Sequence, residues 1–140
     1  MYDTILVATD GSADANRATT HALEQAEQHE AALHGIFVVD TDRFSEPALS
    51  SGEIETIEEE EWGQEQLEEI ASRGEELGID VTLRNCHGKP YQEIINYADE
   101  VDADLLVLGF HGQSHASGDQ IGSVTDRVVQ NVGRPVLVAA

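Results

Sequence analysis

Three glycines in the last third of the chain have the spacing of a phosphate-binding loop. Gly109-Phe110-His111-Gly112 follows an apolar run, and nine residues separate Gly112 from Gly122-Ser123. Glycines in such a loop let backbone N–H groups approach a phosphate, and a helix that begins at Gly122-Ser123 would add a partial positive charge. The pattern therefore predicts an anion-binding site where a strand turns into a helix.

Other kinds of chemistry have weaker support. His111 and His115 are four residues apart, but no third ligand follows at a fixed spacing, so we expect no structural metal. We find no Ser-His-Asp arrangement, no acid and base at a recognisable spacing and no phosphate-loop lysine, which argues against an efficient enzyme. Cys86 is the only cysteine, so an intrachain disulfide is excluded and a reducing compartment is indicated.

The strands that would position this loop are visible as continuous apolar runs, which is typical of strands buried on both faces of a parallel sheet. The runs are Ile5–Ala8, Ile36–Val39, Leu105–Leu108 and Pro135–Val138. A weaker alternating run from Ile79 to Leu83 predicts a strand nearer an edge.

Helical spacing fills the intervals between these strands. The apolar positions that mark four helices are Ala18, Ala22 and Ala26; Leu67, Ile70 and Leu77; Ile94, Ile95 and Ala98 after Pro90; and Val124, Val128 and Val132. A polar stretch from Asp40 to about Gly52 predicts a long loop. The acidic run Glu58–Glu61 predicts the solvent-exposed face of a helix, in which Gly63 would be the least stable position. The alternation predicts a single α/β domain over residues 1–140, with five parallel strands and helices on both faces.

The charge of the chain limits its partners. With 28 Asp and Glu against 7 Lys and Arg, the net charge is −21, which disfavours nucleic acid and anionic membrane surfaces. Concentrated salt would screen this repulsion, so the acidity indicates a halophile. We find neither a signal peptide nor an apolar span of about 20 residues, and we expect a cytoplasmic protein.

Motifs along nearly the whole chain resemble those of the universal stress protein family, in its ATP-binding branch. They are Ile5–Ser12, Phe37–Asp40, Gly88-Lys89-Pro90, Asp104–Gly109, the glycine pattern up to Val124, and Arg134–Val138. The resemblance implies a doubly wound sheet in the order 3-2-1-4-5, whose switch point between strands 1 and 4 is where such sheets bind ligands. It also implies a homodimer through the C-terminal strand, which Pro135 could begin as an edge strand.

The resemblance further implies a ligand, ATP or else AMP or ADP, and a role for each site residue. Ala8, Thr9 and Asp10 would line the adenosine side, with the Asp10 carboxylate on the ribose hydroxyls, although Asp10 could instead cap the first helix. The backbone of Val38 would meet the adenine edge, and its side chain could equally be plain core. The phosphates would be held by Gly109, Gly112, Gly122 and Ser123, with N–H or hydroxyl groups of Val124 and Thr125 at the helix start. Leu108 would also belong to the binding site, and His111 would border the ligand.

One departure from the family concerns residues 113–121, which contain no Lys or Arg, whereas ATP-binding members often carry a basic residue there. Mg²⁺ held by the phosphates could supply the charge instead. We expect a nucleotide-binding sensor or regulator of the stress response. A slow ATP hydrolase and a nucleotide-free dimeric interaction module remain the alternatives.

Overall fold

The computed structural model describes residues 1–41, 49–111 and 122–140, with the backbone alone for residues 49–56. Strands and helices alternate along these residues. They are β1 (Thr4–Ala8), α1 (Ala13–His29), β2 (Ala32–Asp40), α2 (Leu49–Glu76), β3 (Val81–Gly88), α3 (Pro90–Val101), β4 (Leu105–Gly109), α4 (Ser123–Asn131) and β5 (Val136–Ala139).

The strands of the described residues form one parallel sheet in the order β3-β2-β1-β4-β5. This confirms the predicted doubly wound α/β fold and its strand order. β1 lies at the centre, with Val7 opposite Gly35 of β2 on one side and Val107 of β4 on the other. The chain reverses its winding direction between β1 and β4, and a crevice opens there beyond the carboxyl ends of the strands.

Helices cover both faces of the sheet, because alternate residues of each strand point to opposite sides. Ile5 and Val7 of β1 pack with apolar residues of α1 and α2, whereas Leu6 and Ala8 pack with those of α3 and α4. The continuous apolar runs of β1 and β4 follow from this double burial.

Three predicted boundaries are wrong. β2 begins at Ala32, four residues before the predicted start at Ile36. α2 begins at Leu49, so the predicted loop cannot extend to Gly52; residues 42–48 lie outside the described part of the chain. β3 runs from Val81 to Gly88, well beyond the predicted end at Leu83, because it pairs with β2 along its whole length. As an edge strand it is only half-buried, so its later residues are polar and show no hydrophobic pattern.

Gly63, the expected weak point of α2, is buried against β2. A Cβ at this position would overlap the ring of Phe37, so the glycine allows the helix to approach the sheet closely. The close approach brings the preceding acidic turn of α2 to the carboxyl end of the sheet.

Candidate functional site

The carboxyl ends of β1, β2 and β4 border a cleft at the switch point. The predicted site residues that line it are Ala8, Thr9, Asp10, Val38, Leu108, Gly109, His111, Gly122, Ser123, Val124 and Thr125. Gly112 lies outside the described residues. The fold thus brings together residues from four separate segments of the chain. This agrees with a site formed by the glycine motif at the switch point between β1 and β4.

Several lining residues were not predicted. They are Ala15, Ile36, Phe37, Asp40, Glu59, Pro90 and Ile94. Asp40 could have been found, because it is the polar residue that directly follows the apolar run of β2. Glu59 could not, because it belongs to an acidic run whose ordinary interpretation is a solvent-exposed helix face.

The loop after β1 is held by local hydrogen bonds. The Thr9 hydroxyl accepts from the Gly11 amide at 3.1 Å, and the Asp10 carboxylate accepts from the Ser12 amide at 2.9 Å. Ser12 is the N-cap of α1, since its hydroxyl accepts from the Ala15 amide at 3.2 Å. Capping of α1 therefore does not require Asp10, whose carboxylate lies at the cleft instead.

α2 contacts this loop through Trp62. Gly11 has φ +79°, and a Cβ there would lie 2.6 Å from the Trp62 ring. The indole N–H of Trp62 donates to the Asp10 carbonyl at 3.4 Å. A side chain of α2 is thus fitted onto the loop that carries Asp10, and the sequence contained no sign of this contact.

The backbone of Val38 faces the cleft. β1 ends at Ala8, opposite Ile36, whereas β2 continues to Asp40. The Ile36 carbonyl points toward β1, since it accepts from the Thr9 amide at 3.0 Å. Backbone groups two residues apart point to the same side of a strand, so the Val38 amide and carbonyl are directed past the end of β1, with no residue of β1 opposite them in the register.

The absence of a side chain has a different structural consequence at Gly109 and at Gly122. A Cβ on Gly109 would lie 2.8 Å from the backbone of Asp14 and Ala15, so Gly109 allows α1 to begin beside β4. Gly122 is the N-cap of α4 with φ −62° and ψ 146°, which any residue can adopt. Gly122 is buried and lines the cleft, where the absence of a side chain leaves room for a ligand.

The start of α4 is tied to β4 by two hydrogen bonds. The Thr125 hydroxyl donates to the Gly109 carbonyl at 2.7 Å, and the Gly122 amide donates to the Phe110 carbonyl at 2.7 Å. These bonds fix the N-terminal amides of α4 at the cleft, where the helix dipole favours an anion.

His111 is paired with Asp14, although 97 positions separate them. The Asp14 carboxylate lies 2.7 Å from His111 Nδ1 and also accepts from the His111 amide at 3.1 Å. The hydrogen bond from His111 is the main reason that the pKa of Asp14 lies below its usual value. A carboxylate can only accept, so Nδ1 carries the proton; Nε2 is buried and has no hydrogen-bond partner among the described residues, which exclude 112–121.

The chemistry of the cleft differs between its two sides. Toward β1 and β2 it has the carboxylates of Asp10, Asp40 and Glu59, which accept hydrogen bonds. Toward β4 it has Gly109 and the N-terminal turn of α4, which offers amide donors. This arrangement suits a ligand with hydroxyl or amino donors at one end and an anion at the other.

Two further findings concern the chain as described. Outside residues 42–56 and 112–121, no group of three or more His, Cys, Asp or Glu side chains could hold a metal ion; His115 falls in the second of these gaps. Among the same described residues, no helix is both long and apolar enough to cross a bilayer.

Comparisons with known proteins agree with this geometry. The sequence model of the universal stress protein family matches residues 1–140. Universal stress protein MJ0531 of Methanocaldococcus jannaschii is 36% identical over 141 residues, which cover 99% of this chain and 82% of that protein.

Solved structures give the same picture. The structure of MJ0577, also from M. jannaschii, superposes with a TM-score of 0.88 at 26% identity, covering 99% of this chain and 96% of the other. A universal stress protein solved in complex with cAMP superposes with a TM-score of 0.69 at 30% identity, with 99% and 96% coverage. The chain therefore shares its fold, over nearly its full length, with proteins of one family.

Proposed function

The chain belongs to the universal stress protein family, and we propose that it binds an adenine nucleotide in the cleft at the switch point, as a sensor or regulator of the stress response. The adenine edge meets the backbone of Val38, the ribose hydroxyls donate to Asp10, and the phosphates lie at the start of α4. ATP, ADP and AMP share all three features and are the proposed ligands. Mg²⁺ would enter with the phosphates.

The observation that carries this proposal is the division of one cleft into an acceptor side and an amide-donor side. A nucleotide has the matching polarity, with hydroxyl donors on its sugar and acceptors on its phosphates. The related protein in complex with cAMP supports an adenine nucleotide as the class of ligand. Backbone recognition at Val38 is independent of side-chain charge, and so is phosphate binding by the amides of α4.

Gly122→Val tests the phosphate side of the site. Valine can adopt the backbone conformation of Gly122, so the fold should be kept while the branched side chain occupies the phosphate space. Calorimetry in 1 M NaCl should show AMP affinity lowered at least about tenfold, with adenosine affinity changed by less than about twofold. Unchanged AMP affinity in Gly122→Val would place the ligand elsewhere, and we would abandon the assignment.

The identity of the ligand can be determined directly. Mass spectrometry of the small molecules released by denaturing the purified protein should detect an adenine nucleotide. A nucleotide-free interaction module, in contrast, would release none and would bind none when titrated.

The Asp14–His111 pair favours slow ATP hydrolysis as a second candidate function. The Asp14 carboxylate orients the His111 imidazole through Nδ1, and His111 lines the cleft, which is the arrangement of an oriented general base for water. Steady phosphate release that is lost in His111→Gln would support this candidate. If the wild type released phosphate no faster than Gly122→Val, ATP hydrolysis would be excluded. The protein would then be a sensor that binds the nucleotide without hydrolysing it.

We further propose a cytoplasmic homodimer that works in concentrated salt. β5 is an edge strand of the described sheet, and Val136, Leu137 and Val138 are half-buried there. Pairing this edge with its copy across a two-fold axis would cover both the apolar side chains and the open backbone groups. The net charge of −21 is the reason to expect salt.

A further inference from the structure

Two basic side chains of this acidic chain have neither a carboxylate nor a hydroxyl partner in the part that the structure describes. The other described arginines are paired with carboxylates or hydroxyls: Arg17 with Asp14, Arg73 with Thr20, Arg84 with Glu100, and Arg134 with Asp99 and Asp102. Lys89 and Arg127 are exposed and make no ion pair among these residues. With 28 acidic residues available, the lack of a partner at these two positions calls for a reason.

Both positions lie at the rim of the cleft. Lys89 is the N-cap of α3 and precedes Pro90, which lines the cleft. Arg127 is on α4, three residues after Val124, which also lines it, and residues three apart share one face of a helix. The two cations therefore stand at the beginnings of the two helices that cover the same side of the sheet.

Arg127 is held toward α3 by an aromatic ring. Its guanidinium carbon lies 4.9 Å from the ring centroid of Tyr91, the residue after Pro90. Such a contact orients the guanidinium through the face of the ring and leaves its N–H donors available at the edge. The contact directs Arg127 across the gap between α3 and α4, toward the beginning of α3, where Lys89 is the N-cap.

We propose, resting on the nucleotide function above, that Lys89 and Arg127 bind the outer phosphates and set the preference for ATP over AMP. The amides of α4 are sufficient for one phosphate, but each further phosphate adds negative charge to a cleft that Asp10, Asp40 and Glu59 already line. The loop of residues 113–121 supplies no cation. An arginine and a lysine at the rim provide the missing positive charge without entering the space that AMP occupies.

The test compares ATP and AMP affinity, without Mg²⁺, in Lys89→Gln and Arg127→Gln. Arg73→Gln is the matched control, because it removes the same charge from an exposed arginine on α2. In 1 M salt the Debye length is about 3 Å, so only contacts at close range persist. Each rim substitution should lower ATP affinity about fivefold and AMP affinity by less than about twofold, and Arg73→Gln should change neither.

Arg127→Lys separates charge from packing against Tyr91, and should keep most of the ATP preference. Equal losses for ATP and AMP, or losses no greater than in Arg73→Gln, would overturn the phosphate role of the rim cations while leaving the nucleotide site in place. A wild-type chain that binds neither nucleotide would overturn the proposed function itself, and this inference with it. Thermal unfolding of each variant shows whether a loss of affinity reflects a loss of fold.

Discussion

At the scale of single residues, His34 links the stability of the fold to pH. Its Nδ1 lies 3.0 Å from the hydroxyl of the buried Tyr97. Burial lowers the pKa of His34, with Asp80 acting in the opposite direction and Arg84 adding to the decrease. The unfolded chain takes up this proton near pH 6.5, whereas the folded chain takes it up only at lower pH. The free energy of unfolding should therefore fall as the pH drops below about 6.5.

His34→Gln should remove part of this pH dependence, because glutamine can still bond to the Tyr97 hydroxyl but does not titrate. We expect urea unfolding of the wild type to show a lower stability at pH 5.5 than at pH 7.5, and His34→Gln to show a smaller difference. His21→Gln, at an exposed histidine of α1, is the matched control and should behave as the wild type. The same pH dependence in all three proteins would rule out His34 as the cause.

The residues of the candidate site divide by how they could be found. Asp10 and Gly109 come at the ends of apolar runs, and Gly122 belongs to the glycine motif. Strand ends and glycine spacing were therefore enough to predict these three site residues. Asp14 was not found, because its partner His111 is close only after β1 and β4 have paired. Contacts between distant segments leave no local pattern, and most of the electrostatics of a site are contacts of this kind.

At the scale of elements, the contact between α2 and the loop after β1 provides an optical reporter. Trp62 is the only tryptophan of the chain, and its indole N–H bonds to the carbonyl of Asp10. A nucleotide that engages the Asp10 carboxylate should shift this loop and change the environment of the ring. Titration with AMP should give a saturable change in tryptophan emission.

Gly122→Val provides the control for the fluorescence signal, because it leaves the contact between Trp62 and Asp10 intact but blocks the phosphate space. Its emission spectrum without ligand should match that of the wild type, and its AMP titration should be shifted to higher concentration. A signal that saturates at the same AMP concentration in both proteins would mean that Trp62 responds to something other than binding in this cleft.

The open edge of β5 allows the proposed dimer to be tested separately from the fold. The carbonyls of Pro135 and Ala139 accept from amides at β4, so the backbone groups of Val136 and Val138 point away from β4. Val138→Pro removes an outward amide and leaves the bonds to β4 in place. Sedimentation in molar salt should show a dimer for the wild type and a monomer for Val138→Pro.

Val138→Thr keeps both the amide and the branched shape of the side chain, and should remain dimeric. A wild-type monomer at micromolar concentration, or a Val138→Pro dimer as stable as that of the wild type, would contradict pairing through β5.

How well each element could be predicted depended on its burial. β1 and β4 are covered on both faces, so their apolar runs locate them to within a residue. β3 is an edge strand with polar residues in its second half, and its end could not be read from hydrophobicity. The beginning of α2 at Leu49 was also missed, because Ser50, Ser51 and Gly52 belong to a polar stretch that favours a loop.

At the scale of the whole molecule, charge should control stability. Among the described residues, the ion pairs involve Arg17, Arg84 and Arg134, together with two histidine–glutamate pairs and the His111–Asp14 pair. Since the whole chain has 28 acidic side chains, we expect most of them to be stabilised by solvent ions. Salt shortens the Debye length from about 10 Å at 0.1 M to about 3 Å at 1 M, which screens their mutual repulsion. We expect the free energy of unfolding to rise steeply with NaCl concentration, and dialysis into millimolar salt to expand or unfold the chain.

Charge reversal on the exposed face of α2 tests the same explanation. Glu65→Lys, Glu69→Lys and Glu76→Lys change exposed positions, and each should lower the NaCl concentration needed for folding. Glutamine at these positions should have about half the effect, since it removes one charge rather than reversing it. Full stability of the wild type in millimolar salt would exclude the screening explanation.

The pairing of β1 with β4 has a consequence for the order in which the protein is made. The Thr4 amide and the Asp104 carboxylate, which are hydrogen-bonded at the start of these strands, are 100 positions apart. At about 5 to 20 residues per second, a ribosome needs about 5 to 20 seconds to make the intervening chain. During that interval β1 can pair with β2 but has an unpaired apolar edge on its other side. A ligand that binds between β1 and α4 cannot assist this early stage of folding, because α4 has not yet been synthesised. It can only bind and stabilise the protein after the complete chain has folded.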